Sequence, residues 1–321
     1  MQTVMLDAEQ VKLATEKLSR LKSRLELVLD RGPDPEDRFS KALDEFVQQI
    51  ARAAGPSLEV VPATGPPDRY PSLQVGNIKY LAVPLDRELE PFLDVLVYLA
   101  NGVELELPEP ARDPARLDLL VAPTCPNCPT VVRACGQVAA VAPQLTMTVI
   151  DVQFFTELAG SCRSVPTLII DGAYTVVGPI STPELVELLE RRRQPGYLAV
   201  ALASMLEAGR LSEIGPLLQS EDGAAALASI MRDGSMQQKM GLMLAVEEVL
   251  ETQPHALDGA AKELIPLLSS EVVTVRGDVA DLLGRIGTPG ARDALSRLLQ
   301  DENPDVREAA EEALSLLRSP S

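Results

Sequence analysis

The sequence predicts an α/β chain over its first 192 residues and an all-α array after Gly196. Three observations carry this. The order strand, helix, strand, paired strands, helix occurs twice between Leu25 and Arg192. Beyond Gly196 the chain becomes Ala- and Leu-rich and loses its strand signal. Within that stretch Leu264, Leu267, Leu268, Val275, Arg276 and Leu283 recur 31 residues later as Leu295, Leu298, Leu299, Val306, Arg307 and Leu314. Fixed-interval recurrence of apolar helical positions is the mark of stacked helix pairs.

Residues 8 to 22 place Val11, Ala14, Leu18 and Leu21 at helical spacing, which predicts a leading amphipathic helix. A strand over Leu25 to Asp30 follows, then a helix over Pro35 to Ala53 with Phe39, Leu43, Phe46 and Ile50 on its inner face, then a strand over Ser57 to Pro62. Strands Ser72 to Val75 and Ile78 to Val83 flank Gly76-Asn77, a dipeptide suited to a tight turn, and a helix over Glu88 to Ala100 closes the unit. The second pass has strand Asp118 to Val121, helix Pro126 to Val141, strand Thr146 to Val152 and a short helix near Phe154 to Ala159. Strands Thr167 to Ile170 and Tyr174 to Val177 then turn on Asp171-Gly172, and helix Thr182 to Arg192 ends the unit. Superposing the passes sets Pro71 opposite Pro166 and Pro33-Asp34-Pro35-Glu36 opposite Cys125-Pro126-Asn127-Cys128. In the repeat region Leu227, Ile230, Met231 and Lys239 fit the same pattern 37 residues earlier. The expected domains are 1–112, 113–194 and 195–321.

The chain has 321 residues, 46% of them hydrophobic, enough for several folded cores. Lys and Arg total 29 against 47 Asp and Glu, a net charge of -18 that repels phosphate backbones and offers no polybasic face to anionic lipid. Nucleic acid and membrane are therefore not expected partners. Charges interrupt residues 1–24 every few positions, with no apolar run of signal-peptide or membrane-spanning length, so a cytoplasmic protein is expected. Four cysteines, Cys125, Cys128, Cys135 and Cys162, cluster in one part of the chain, unlike a secreted disulfide scaffold.

Cys125 and Cys128 follow the apolar run Leu119 to Val121 and open a helical segment. At a helix start the leading sulfur is expected to face solvent, with the second one turn behind, close enough to close a ring. Unpaired N–H groups and the helix dipole stabilise a thiolate there, which makes Cys125 the expected nucleophile. A Cys-x-x-Cys pair is also half of a zinc site that Cys135 and Cys162 would complete. On a continuous helix, however, Cys135 falls about two turns from Cys128, too far from Cys125 to share a tetrahedral centre. Cys135 is expected as a buried apolar residue, and Cys162 as a structural residue or a third redox thiol. The single histidine, His255, is expected exposed and without a partner. The acidic runs Glu247-Glu248, Asp301-Glu302 and Glu311-Glu312 are expected on solvated helix faces.

The duplicated order, the Cys-Pro-Asn-Cys motif and Ser164-Val165-Pro166-Thr167 together resemble the thioredoxin superfamily. The match extends over residues 20–192 to tandem folds like those of the N-terminal domain of bacterial alkyl hydroperoxide reductase flavoprotein subunits and of archaeal protein disulfide oxidoreductases, with a dithiol in the second fold. Residues 196–318 resemble HEAT-like repeats of the short bacterial type. The resemblance implies two tandem thioredoxin-like folds, the first without thiols, followed by a helical solenoid. It implies a thiol:disulfide oxidoreductase with Cys125 as attacking thiol, Cys128 as resolving thiol and Pro166 as a cis-proline. Val165 before it, with Thr124, Pro126 and Asn127, would bind substrate. Glu88, in Pro84-Leu85-Asp86-Arg87-Glu88, resembles an acidic residue near the family dithiol and is the candidate to exchange protons with Cys128; the other reading makes it a solvated first-turn helix residue. Ordinary thioredoxins carry a buried acid where Leu119 stands, and a Trp this chain lacks.

No bound cofactor is expected beyond a redox-active Cys125/Cys128 disulfide. Without a Gly-x-Gly-x-x-Gly segment for a dinucleotide, electrons would come from an external flavoprotein of thioredoxin-reductase type. The expected substrate is a disulfide-containing protein such as a peroxiredoxin, with a further protein partner on the repeats. The alternatives are a glutathione-linked glutaredoxin-like enzyme and a repeat adaptor whose thioredoxin module only senses redox state.

Overall fold

The computed structural model describes residues 6–317 apart from 67, 161, 163, 193, 195 and 221. The remaining residues of the outer expected domains, and 193 and 195 of the connection between the α/β region and the repeats, lie outside the described residues. The chain forms two compact units, Met1–Gln194 and Pro195–Ser321.

In the first unit Asp7 caps helix α1 (Ala8–Leu18) by accepting from the N–H groups of Glu9 and Gln10. This helix ends four residues before the expected 22, and it buries Ala14 and Leu18 while Val11 stays exposed. Strand β1 (Leu25–Asp30), helix α2 (Arg38–Ala54), strands β2 (Leu58–Pro62), β3 (Ser72–Val75) and β4 (Ile78–Leu81) and helix α3 (Leu89–Asn101) complete the first fold. Phe39, Leu43, Phe46 and Ile50 of α2 are buried as their spacing predicts. The second fold repeats the order with β5 (Arg116–Val121), α4 (Cys128–Val141), β6 (Thr146–Asp151), β7 (Thr167–Ile170), β8 (Tyr174–Val177) and α5 (Thr182–Arg191). The turns fall where expected: Gly76 has φ of 55°, and Asp171 and Gly172 have φ of 54° and 75°, the left-handed values tight hairpins require. The short helix expected near Phe154 to Ala159 is one 3-10 turn, Thr156–Leu158.

The two folds share one sheet of order β2-β1-β3-β4-β6-β5-β7-β8, so each contributes four strands in the same internal order. They meet where β4 pairs in parallel with β6, Tyr80 opposite Val149 and Leu81 opposite Ile150. α3 of the first fold packs on α4 of the second. Leu93 and Leu96 of α3 and Val131 and Val138 of α4, all fully buried, belong to the unit's single core.

The second unit is helical: α6 (Tyr197–Ala208), α7 (Gly215–Leu218), α8 (Gly223–Asp233), α9 (Met236–Thr252), α10 (Ala261–Leu264), α11 (Val273–Ile286), α12 (Arg292–Leu298) and α13 (Pro304–Leu316). The repeat is visible in the side-chain bonds. Arg276 donates to the carbonyls of Ser270 and Glu271 at 2.8 and 3.4 Å, and Arg307 donates to those of Asp301 and Glu302 at 2.7 and 3.1 Å. Lys239, at the equivalent place one repeat earlier, pairs with Asp278 at 3.0 Å. Two sequence expectations change here. Asp301 does not lie on a solvated face: its carboxylate accepts two hydrogen bonds from Arg276, both at 2.8 Å, with each side chain 9% exposed. A fixed guanidinium fork matches a carboxylate in this way, and the partner is too distant in sequence to be read as a local pattern. His255 is exposed but not partnerless, lying 3.4 Å from Asp258. Among the described residues no helix is long and apolar enough to cross a membrane.

Candidate active site

The end of β5 delivers the chain into the motif. Cys125 is held in a turn by its N–H, which donates to the carbonyl of Ala122 at 3.0 Å, and α4 begins at Cys128, not at Pro126 as expected. Proline at 126 disfavours the helical region for the residue before it, which keeps Cys125 out of the helix. Cys125 and Cys128 are paired as a disulfide with Cα atoms 5.5 Å apart. The N–H of Cys128 points at Sγ of Cys125, 3.1 Å away. In the reduced protein that N–H and the positive end of α4 would stabilise a thiolate on Cys125.

Cys125 is less open than expected for a leading sulfur, at 6% exposed, and Cys128 is fully buried. Thr124, Pro126 and Asn127 form an exposed rim around them. The covering residue is Val165, whose carbonyl oxygen lies 3.6 Å from Sγ of Cys125. The Val165-Pro166 peptide is cis, as the resemblance implied. Pro166 leads into β7, which runs antiparallel to β5 with Thr167 opposite Leu120, and this pairing carries Val165 to the dithiol. Thr167 further ties the approach by donating from its hydroxyl to the carbonyl of Ser164 at 2.7 Å.

Glu88 comes from the first fold, at the end of a 3-10 turn, Asp86–Glu88, that packs against α4. It is 7% exposed, and its Oε1 is buried without a hydrogen-bond partner, so the reading as a solvated helix residue is overturned. Burial pushes its carboxyl up to about 7; the nearby charge of Asp151 adds to the rise and Arg133 opposes it. Arg133 on α4 is itself engaged, with Asp94 at 2.6 Å and Glu90 at 3.3 Å, and Lys17 of α1 bonds to the same two acids.

Asp151 was not singled out by sequence reasoning. It ends β6, is 2% exposed, and its carboxyl is raised by burial against the opposing hydrogen bond from the Gln153 N–H at 2.9 Å. The available signal was an acid closing the apolar strand Thr146 to Val152, where a solvated loop residue is the ordinary expectation.

Cys135 is fully buried on α4 and its thiol is pushed up to about 12 by desolvation, which fits a packing residue and not a thiolate ligand. Cys162 is half-buried and lines a cavity of about 310 Å³ with Leu120, Val152, Thr156, Ser164 and Val165. Leu120 and Val152 alternate with Leu119, Val121 and Asp151, so this cavity lies across the sheet from the two carboxyls. Among the described residues no three side chains of His, Cys, Asp or Glu converge as a metal site. In the first fold the place of the dithiol is taken by Pro33 to Glu36, before which the buried Asp30 accepts from the N–H groups of Gly32 at 2.8 Å and Asp68 at 2.9 Å.

Comparison with known proteins agrees with this description. Residues 116–190 match the family model described as a thioredoxin domain, and residues 249–321 match HEAT repeats. Over 180 residues the chain is 24% identical to the alkyl hydroperoxide reductase AhpF of Staphylococcus epidermidis, covering 52% of this chain and 34% of that protein. The chain thus spans about a third of the length of the curated relatives it matches. The NTD_N/C domain of alkylhydroperoxide reductase AhpF from Enterococcus faecalis superposes with a TM-score of 0.50 at 20% identity, covering 58% of this chain and 100% of that one. A protein disulfide oxidoreductase from Aeropyrum pernix K1 superposes with a TM-score of 0.50 at 15% identity, covering 58% of this chain and 94% of that one. The chain carries tandem thioredoxin-like folds, with a Cys-x-x-Cys pair in the second, and C-terminal HEAT-like repeats.

Proposed function

We propose that the protein is a thiol:disulfide oxidoreductase that passes two electrons between a reductase and a disulfide in a protein substrate. The observation that carries this reading is the Cys125–Cys128 pair at the start of α4, covered by the carbonyl of Val165 ahead of a cis-proline. The thiolate of Cys125 attacks one sulfur of the substrate disulfide, the other substrate sulfur leaves as a thiolate, and a mixed disulfide forms. Cys128 then loses its proton and attacks Sγ of Cys125, which releases the second substrate sulfur and closes the protein disulfide. Glu88, buried beside α4 with a carboxyl near 7, supports a role as acceptor of the Cys128 proton. Backbone groups of Val165, with the exposed Thr124, Pro126 and Asn127, would hold the substrate chain, and the apolar cavity beside Val165 would receive one of its side chains.

A peroxiredoxin-type protein as substrate and a flavoprotein of thioredoxin-reductase type as donor are the partners that likeness to the alkyl hydroperoxide reductase AhpF favours. The HEAT-like repeats would bind a protein and raise the local concentration of the substrate disulfide at the dithiol. The test is thiol counting by mass after alkylation, on metal-free protein poised in a series of dithiol/disulfide buffers, with Cys125→Ser in parallel. A two-electron transition confined to Cys125 and Cys128, with a midpoint between about -180 and -270 mV, supports exchange. Absence of any such transition removes the reading.

A further inference from the structure

We propose that Glu88 and Asp151 hold one proton between them and that this pair, not Glu88 alone, takes up and returns the proton of Cys128. The role toward Cys128 rests on the exchange reading above; the shared proton stands on the placement of the two carboxyls. The register fixes one side. Tyr80 and Leu119 both stand opposite Val149, so these three side chains leave the sheet on one face, and Asp151, two residues beyond Val149, leaves it there too. That face is the one covered by α3, because the ring of Tyr80 packs edge-on against Phe92 with centroids 5.2 Å apart. Glu88 reaches the same space from the turn before α3 and acts electrostatically on Tyr80, as Cys135 of α4 does. Both carboxyls are more than nine-tenths buried, and Oε1 of Glu88 has no hydrogen-bond partner.

The groups around the pair leave little to neutralise two anions. From β4 comes the neutral hydroxyl of Tyr80, itself buried without a partner. From α4 come the protonated thiol of Cys135 and the guanidinium of Arg133, which is committed to Asp94 and Glu90 of α3 along with Lys17 of α1. Two like charges in such a space are not both sustained, and one proton stays behind. Ordinary thioredoxins place a single acid on the strand that leads into the motif; here that position is Leu119, and a carboxyl appears on the neighbouring strand, two residues further along the same face.

The proton balance closes without an outside acid. The singly protonated pair accepts the proton of Cys128 as its sulfur attacks Cys125, then gives a proton to the substrate thiolate that leaves. The dithiol is oxidised by two electrons, the substrate disulfide is reduced by two, and the pair ends as it began.

The test uses the full oxidised chain with carbon-13 at the Asp and Glu carboxyls, titrated by NMR as wild type, Glu88→Gln and Asp151→Asn. Sharing requires that Asp151→Asn lower the midpoint of Glu88 by about one pH unit and that Glu88→Gln lower that of Asp151 by a similar amount. Unchanged midpoints in either variant overturn the proposal. The same proteins are then mixed, reduced, with an aromatic disulfide that releases a coloured thiolate, and the decay of the mixed disulfide is followed against pH. The expected result is an inflection that moves to lower pH in Asp151→Asn, with Glu88→Gln/Asp151→Asn slower by about tenfold or more and without an inflection. An active wild type whose profile ignores Asp151→Asn overturns the relay. A wild type that never forms the mixed disulfide refutes the exchange reading instead, and coupled carboxyl titrations in that protein would still support the shared proton.

Discussion

Gly136 on α4 and Val95 on α3 touch across the two folds, and a Cβ added to Gly136 would overlap Cγ2 of Val95. Two helices approach this closely only where one of them lacks a side chain, and a β-branched neighbour cannot rotate away cheaply. Gly136→Ala is expected to destabilise the first unit by about 1–3 kcal/mol, and Val95→Ala in the same chain to recover part of the loss. Thermal unfolding of the single and double variants checks this; equal losses with and without Val95→Ala would count against it.

The stability of the first unit should fall as the solution turns alkaline through neutrality. Glu88 has an ordinary value of 4.5 and lies near 7 in the fold, so the folded chain holds its proton more tightly than the unfolded one. That contribution is complete below about 4.5 and is lost as pH rises through 7; Asp151, also raised, acts with the same sign. Glu88→Gln keeps the neutral form at every pH and should be more stable than wild type at pH 8 by roughly 3 kcal/mol, with little difference near pH 4. Urea unfolding of the oxidised proteins at the two pH values reads the effect.

Cys128→Ser removes the resolving sulfur and leaves the attacking one in its turn. This variant should accumulate a mixed disulfide with a disulfide-bonded protein in equimolar amount, seen by mass, while Cys125→Ser accumulates none. Equal trapping by both variants would remove the assignment of Cys125 as the entry point.

Cys135 should be chemically silent in the folded chain. Its thiol is fully buried and displaced to about 12. Iodoacetamide at pH 8 is expected to leave it unmodified over hours and to label it completely in denaturant, as peptide mass mapping would reveal.

Within the repeats, Arg276 should not tolerate lysine. Its guanidinium binds both oxygens of Asp301 and the carbonyl of Ser270 at once, which a single ammonium cannot reproduce. Arg276→Lys is expected to lower the unfolding temperature of the second unit nearly as far as Arg276→Ala, a comparison calorimetry makes directly.

Local pattern carried much of this architecture. Strands Leu25–Asp30, Ser72–Val75, Thr167–Ile170 and Tyr174–Val177 were predictable to the residue, since apolar runs end there at turn residues with their own chemistry. The dithiol and its proline were legible for the same reason. What the sequence could not disclose depends on partners brought from elsewhere. The burial of Asp151 follows from the placement of β6 between β4 and β5, and the burial of Asp301 from a guanidinium 25 residues away. The displaced start of α4 is a smaller case, in which Pro126 restrains the residue before it and Asn127 takes the cap position.

The parallel pairing of β4 with β6 has a practical corollary for anyone wishing to isolate the dithiol fold. The natural margins of the sheet are β2, which carries Glu59 and Pro62, and the short β8. Cutting the chain between the folds would turn β6 into a margin with open hydrogen-bonding groups, flanked by the apolar face of α4 from which α3 had been stripped. Such a fragment would seek another strand, and self-association would be its readiest substitute for the missing half.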